Sequence, residues 1–170
     1  MKRLIKNIFL VTLIISMLLC TCSCGGNNGM KRYSESGLIF SLPTYMQEFS
    51  VEYADLCYGN HEKNLEFFVY FYGSDALLTQ LYLPTDCTVK DYAEWFVNMN
   101  EYEDVLEFYD EENARIVLEY IYEPEQIYFC DYILRNEYAL FHVTMCCNAE
   151  DRETYSPIFE EWRGYISLDY

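Results

Sequence analysis

Two histidines and five cysteines are the most reactive side chains of the region expected to fold. His142 and Cys146 stand four residues apart. On one strand they would share a face, but four residues at the usual rise span roughly 13 Å. A thiol–imidazole pair needs about 3 Å. Cys57 and His61 flank a turn expected at Gly59–Asn64, so folding could bring them together. The plainer expectation is a core cysteine beside a surface histidine, because free cysteine behaves as a small hydrophobe. The histidines are far apart in sequence, and no Cys-x-x-Cys or His-Glu-x-x-His occurs, which argues against zinc. Gly-x-Ser-x-Gly and a glycine-rich phosphate loop are also missing. The acids Glu101, Glu103, Asp104, Glu107, Asp110, Glu111 and Glu112 invite a calcium reading, but the central glycine of an EF-hand loop is absent. A solvated acidic edge is the expectation there. With 28 Asp and Glu, some carboxylate pair always lies close, which decides nothing about a glycosidase. No catalytic, metal-binding or cofactor-binding residue is assigned.

The other chemistry is aromatic. The chain has 18 tyrosines and 11 phenylalanines. Tyr70, Tyr72, Tyr120, Tyr122, Tyr128 and Tyr132 fall on expected strands and form the candidate interaction surface. Half-exposed tyrosines can stack on sugars or seat a partner protein. The competing reading is that they roof the core beneath helices, with hydroxyls at the rim.

These side chains need elements to position them. Leu38–Pro43 reads as a first strand and Val51–Tyr58 as a second. Leu65–Tyr72 is aromatic and β-branched, a strong strand closed by Gly73-Ser74. Asp75–Tyr82 reads as a short helix. Thr88, with Asp91 three residues on, predicts a capping box at a helix start. Val89, Tyr92, Ala93, Phe96 and Met99 give that helix an apolar face. Extended runs follow at Val105–Tyr109, Arg115–Tyr122, Gln126–Leu134 and Tyr138–Cys147, with gaps short enough for an antiparallel meander. Tyr155, Ile158, Phe159, Trp162, Tyr165 and Ile166 step by three and four, a final helix with Pro157 near its start. Two amphipathic helices need a sheet to bury against, so the expected class is α+β.

The N-terminus has its own pattern. Lys2, Arg3 and Lys6 precede an apolar run from Ile8 to Leu19, and Cys20, Cys22 and Cys24 follow. The run is too short for a spanning helix, which needs ~20 residues. Basic head, apolar middle and small residues at the exit describe a secretory signal, and the exit cysteines make it resemble a bacterial lipoprotein signal. In that family a small residue precedes the modified cysteine, with leucine usual three before. Cys24 has Ser23 before it but Thr21 in the leucine position; Cys22 has Leu19 in place but Thr21 before it. Cys24 is the favoured attachment site and Cys22 the alternative. The resemblance implies a diacylglyceryl anchor, whose two chains suffice for stable membrane attachment. The expected organisation is a signal over 1–23, a lipidated cysteine and flexible tether over 24–35, and one domain over 36–170.

The formal charge is −17. Without Lys2, Arg3 and Lys6 the chain keeps 8 basic against 28 acidic residues, a charge of −20. That field repels nucleic acid and anionic headgroups. It suits a cationic partner, or solubility alone. Five domain cysteines, an odd number, show no disulfide framework.

Ser36-Gly37-Leu38-Ile39-Phe40-Ser41-Leu42-Pro43, the helix opening Thr88-Val89-Lys90-Asp91-Tyr92-Ala93, the meander and the final amphipathic helix come in an order that resembles the PsbP-like α/β/α sandwich. Photosystem II extrinsic proteins share that fold with a Ran-binding nuclear transport factor. The resemblance implies an antiparallel sheet with helices on both faces and a tendency to bind proteins; it carries over no catalytic residue. The expected function is a non-enzymatic binding or scaffold module of the bacterial envelope. It would be held at a membrane by lipid, with an envelope protein as the partner sought and no cofactor. The alternatives are an envelope hydrolase using carboxylates or Cys/His residues, and a divalent-cation binder.

Overall fold

The computed structural model describes residues 29–72, 79, 81–84, 86–102, 105–110 and 115–169. The lipidation cysteines and most of the helix expected at Asp75–Tyr82 lie outside them, as do Glu103, Asp104, Glu111 and Glu112.

The chain order is β1 (Met30–Glu35), β2 (Leu38–Pro43), β3 (Gln47–Phe49), β4 (Leu56–Asn60), β5 (Leu65–Tyr72), α1 (Val89–Asn100), β6 (Leu106–Asp110), β7 (Arg115–Tyr122), β8 (Ile127–Arg135), β9 (Leu140–Asn148), a short 3-10 turn, α2 (Arg152–Arg163) and β10 (Ser167–Leu168). Seven strands form an antiparallel sheet in the order β3-β4-β5-β9-β8-β7-β6, and β1-β2-β10 form a second, smaller one.

Strand alternation divides the large sheet into two faces. On one, Phe67, Tyr128, Phe141, Val143 and Met145 meet Phe40 of the small sheet and Phe159 and Trp162 of α2. On the other, α1 lays Val89, Tyr92 and Ala93 over Ile116, Leu118, Ile133 and Leu140. The fold class is therefore the expected α+β, with one helix on each face and the small sheet sharing a layer with α2.

Thr88 caps α1 as its spacing predicts. Its hydroxyl accepts from the Asp91 amide at 3.1 Å, and the Asp91 carboxylate accepts from the Thr88 amide at 2.7 Å. Met99, assigned to the apolar face from sequence, is 64% exposed, while Trp95 is half-buried instead. β1 occupies part of the stretch read as tether. The hairpin turn explains it: Ser36 (φ 52°) and Gly37 (φ 88°) are both left-handed, as a two-residue turn between twisted strands requires. Val51–Asp55 is not strand; the edge is made by β3, and β4 begins at Leu56. Pro157 falls in the second turn of α2 rather than at its start, because the helix already opens at Arg152.

Candidate functional site

Three neighbouring central strands place an acid, a threonine, a histidine and a tyrosine on the α1 face. β8 pairs with β9 so that Asp131 lies opposite Thr144 and Ile133 opposite His142. β7 pairs with β8 so that Tyr120 lies opposite Phe129, two residues from Asp131. β5 pairs with β9 so that Tyr70 lies opposite His142 and Tyr72 opposite Leu140. Because alternate residues share a face, Tyr70, Tyr72, Tyr120, Phe129, Asp131, His142 and Thr144 all point to the α1 side.

Asp131 is wholly buried, and Thr144 and His142 nearly so. A buried carboxylate must be hydrogen-bonded. The Thr144 hydroxyl donates to Oδ1 at 2.6 Å and the Tyr120 hydroxyl to Oδ2 at 2.9 Å. His142 Nε2 lies 3.2 Å from Oδ1 but is not aligned for a hydrogen bond. On its other side, His142 Nδ1 is 3.0 Å from the Tyr92 hydroxyl, which is itself 3.2 Å from that of Tyr72. A polar chain thus runs from the half-buried Tyr72 through α1 to the buried carboxylate.

Above this floor is a cleft of about 320 Å³, within the size range of small-ligand sites. Its walls include Tyr70 and Tyr72 from β5, Trp95 and Phe96 from α1, Tyr102 from the loop after α1, and Tyr120 from β7. The rings brace one another. Tyr102 stacks on Tyr120 with centroids 4.2 Å apart, and Phe96 meets His142 edge-on at 4.7 Å. A second cavity, of about 500 Å³, shares Asn100, Tyr102 and Tyr120 and brings in Glu101, Glu119 and Glu123.

Burial is the leading cause that raises the hydroxyl pKa values of Tyr70, Tyr92, Tyr102 and Tyr120. The negative field of Asp131 adds to it in all four. These hydroxyls therefore stay protonated, as donors, across the physiological range.

The six candidate tyrosines do not form one surface. Tyr70, Tyr72 and Tyr120 meet in the cleft, and Tyr122 lines only the adjoining cavity. Tyr128 and Tyr132 lie on the opposite face, buried in the core with Phe159 and Trp162. Cys57 is buried beside Phe68 and Cys146, while His61 sits on an exposed turn against the Phe49 ring. No hydrogen bond joins that pair among the described residues. Cys146 is buried 3.9 Å from Glu66, and desolvation first, then that carboxylate, holds its thiol protonated. Among the described residues no group of three or more His, Cys, Asp or Glu side chains gathers to hold a metal ion. Asp131, Trp95 and Tyr102 are not among the candidate residues the sequence offers. The available signal for Asp131 was a single acid inside the otherwise apolar and aromatic strand Gln126–Leu134.

The architecture can be set beside known structures. The solution structure of cyanobacterial PsbP (CyanoP) from Synechocystis sp. PCC 6803 is similar, with a TM-score of 0.61 at 16% identity over 86% of this chain and 96% of that one. The fold is PsbP-like. A crystal structure of PA94, a Pseudomonas aeruginosa protein of unknown function, has a TM-score of 0.43 at 12% identity over 78% of this chain and 92% of that one. No protein-family model and no curated protein matches the chain. At 16% identity the likeness to CyanoP is one of fold alone.

Proposed function

We propose that this chain is a lipid-anchored binding module of the bacterial cell envelope, that it performs no catalysis, and that its binding site is the cleft between α1 and the large sheet. The observation that supports binding is the cleft's construction: aromatic walls over a polar floor whose only carboxylate is already engaged. Asp131 accepts from Tyr120 and Thr144 and has His142 beside it, so it is placed to hold the walls rather than to attack a substrate. A thiol hydrolase would need a thiolate next to a base, and burial raises the pKa of Cys57, Cys130, Cys146 and Cys147.

Anchoring rests on the basic, apolar and cysteine-rich pattern of residues 1–24. Among the described residues, no helix is long and apolar enough to cross a membrane. The test is fractionation of cells expressing the full chain, with mass analysis of the N-terminal peptide. A diacylglyceryl-modified Cys24 peptide in the membrane fraction, with Cys24→Ser preventing the modification, supports the anchor. An unmodified protein would remove that half of the proposal, and modification at Cys22 would move the attachment site.

A further inference from the structure

Deepening that reading, and resting on it, we infer that the cleft takes an organic ammonium ion, a quaternary or protonated amine. Three observations converge. The first is the wall. Tyr70, Tyr72, Trp95, Phe96, Tyr102 and Tyr120 surround about 320 Å³. Aromatic faces carry negative potential and attract cations, most strongly with Trp, and the attraction grows when water is excluded.

The second is the sign of the local charge. No lysine or arginine is among the residues lining this cleft, and its one basic side chain, His142, sits 3.2 Å from Asp131 Oδ1. The buried Asp131 carboxylate lies beneath the cleft, and its field reaches the hydroxyls of Tyr70, Tyr92, Tyr102 and Tyr120. The adjoining cavity adds Glu101, Glu119 and Glu123. Its one cation, Arg152, stands 3.7 Å from Glu119 and is paired there. The acids around the two cavities outnumber their cations, which disfavours an anionic ligand.

The third is the helix end. Asn100 and Glu101, at the C-terminus of α1, line the second cavity, and Asn100 lines both. The partial negative charge of a helix C-terminus favours a cation, and here it is reduced because the Phe96, Val97 and Asn98 carbonyls already accept from the Asn100 side chain and the Tyr102 and Glu101 amides. Within the cleft the aromatic walls, the Asp131 carboxylate beneath them and the helix end together supply potential complementary to an ammonium ion. A methylated amine suits such walls better than a metal ion, which favours charged oxygen ligands, because no carboxylate is among the residues lining the cleft.

The experiment uses the full chain in neutral detergent. Trp95 reports from the cleft, and the other tryptophan, Trp162, is buried in the opposite core and should stay silent. Tetramethylammonium chloride and choline chloride are titrated against fluorescence, with sodium chloride at equal ionic strength and methyl glucoside as controls. The inference expects a saturable change with both ammonium salts and none with either control. It expects Tyr102→Leu to weaken the response about three- to thirtyfold, the range of one cation–π contact, and Tyr102→Phe to keep it. Saturation by methyl glucoside alone would overturn the ammonium assignment while leaving the cleft as a binding site for stacked neutral ligands. A response equal to that of sodium chloride, or none to any probe, would overturn the inference and remove the cleft from the proposed function, leaving the anchor to be judged by its own test. Equal affinity of Tyr102→Leu and the parent would overturn the aromatic recognition.

Discussion

Replacing Asp131 by alanine removes the acceptor on which the floor of the cleft is built. Two hydroxyls lose their partner at once, Thr144 at 2.6 Å and Tyr120 at 2.9 Å, and His142 loses the charge 3.2 Å from Nε2. Leaving a buried donor unsatisfied costs about 1–3 kcal/mol. Two such donors give about 2–6 kcal/mol, with about 4 kcal/mol as the working value. A domain of this size has a total stability of about 5–15 kcal/mol, so the variant should still fold. With a urea slope of about 2 kcal/mol per molar, the unfolding midpoint should fall by about 2 M. Asp131→Asn keeps the shape and one carbonyl acceptor, and should lose about half as much. Combining Asp131→Ala with Tyr120→Phe in a double-mutant cycle should give a coupling of about 1.5–3 kcal/mol, as for a hydrogen bond to a charged acceptor. Circular dichroism in urea, with native spectra checked in water, makes the measurement. A stability within about 0.5 kcal/mol of the parent, the range of an ordinary surface change, would refute the claim that Asp131 organises this face.

Other outcomes follow from the same structure. Thr88→Ala should cost about 1 kcal/mol in urea unfolding by removing the α1 cap. Hydrogen bonds from the Thr88 amide and then its hydroxyl hold the Asp91 carboxyl below its ordinary pKa, so its contribution is full above the unfolded value near 4 and is lost as pH falls through the folded one. Melts of the parent and Asp91→Asn should therefore differ at pH 6 and converge toward pH 2. Burial pushes the Cys130 and Cys147 thiols up to about 12, leaving about one molecule in ten thousand as thiolate at pH 8. Iodoacetamide at pH 8 should spare both in the native protein and label both in urea, read by peptide mass. Phe159→Ala, on the buried face of α2, should cost about 3–5 kcal/mol by the same unfolding assay, whereas Tyr138→Ala, 76% exposed, should leave the midpoint unchanged.

What could be read from the sequence was what is encoded locally. Thr88 and Asp91 specify a cap within one turn, and α1 begins where they place it. Arg115–Tyr122 is bounded by Glu123-Pro124, and β7 has those limits. The alternation along β9 correctly put His142 and Thr144 on one face, with Phe141, Val143 and Met145 on the other. Non-local pairing could not be read. β1 is polar and charged, so its strand state comes from hydrogen bonding to β2 rather than from an apolar pattern. β5 pairs with β9, with α1 and three strands between them in sequence. The site depends on that register. The sequence excluded Cys146 as a partner for His142 on distance but could not name the true neighbours, which are Asp131 of β8, Tyr70 of β5 and Tyr92 of α1. The tyrosines show the same limit. Composition announced them, but only the pairing decides that Tyr120 faces α1 while Tyr128, eight residues on, faces α2.

Site-specific photo-crosslinking in the native envelope tests the central claim most directly. A benzoylphenylalanine is placed at Trp95 in the cleft and, in a second strain, at the exposed Tyr138 outside it. Adducts on the full chain are then read by mass. The account predicts one recurrent adduct at position 95, suppressed by added tetramethylammonium, and none of that mass at position 138. No adduct at 95, or the same adducts at both positions, would contradict a binding site between α1 and the sheet.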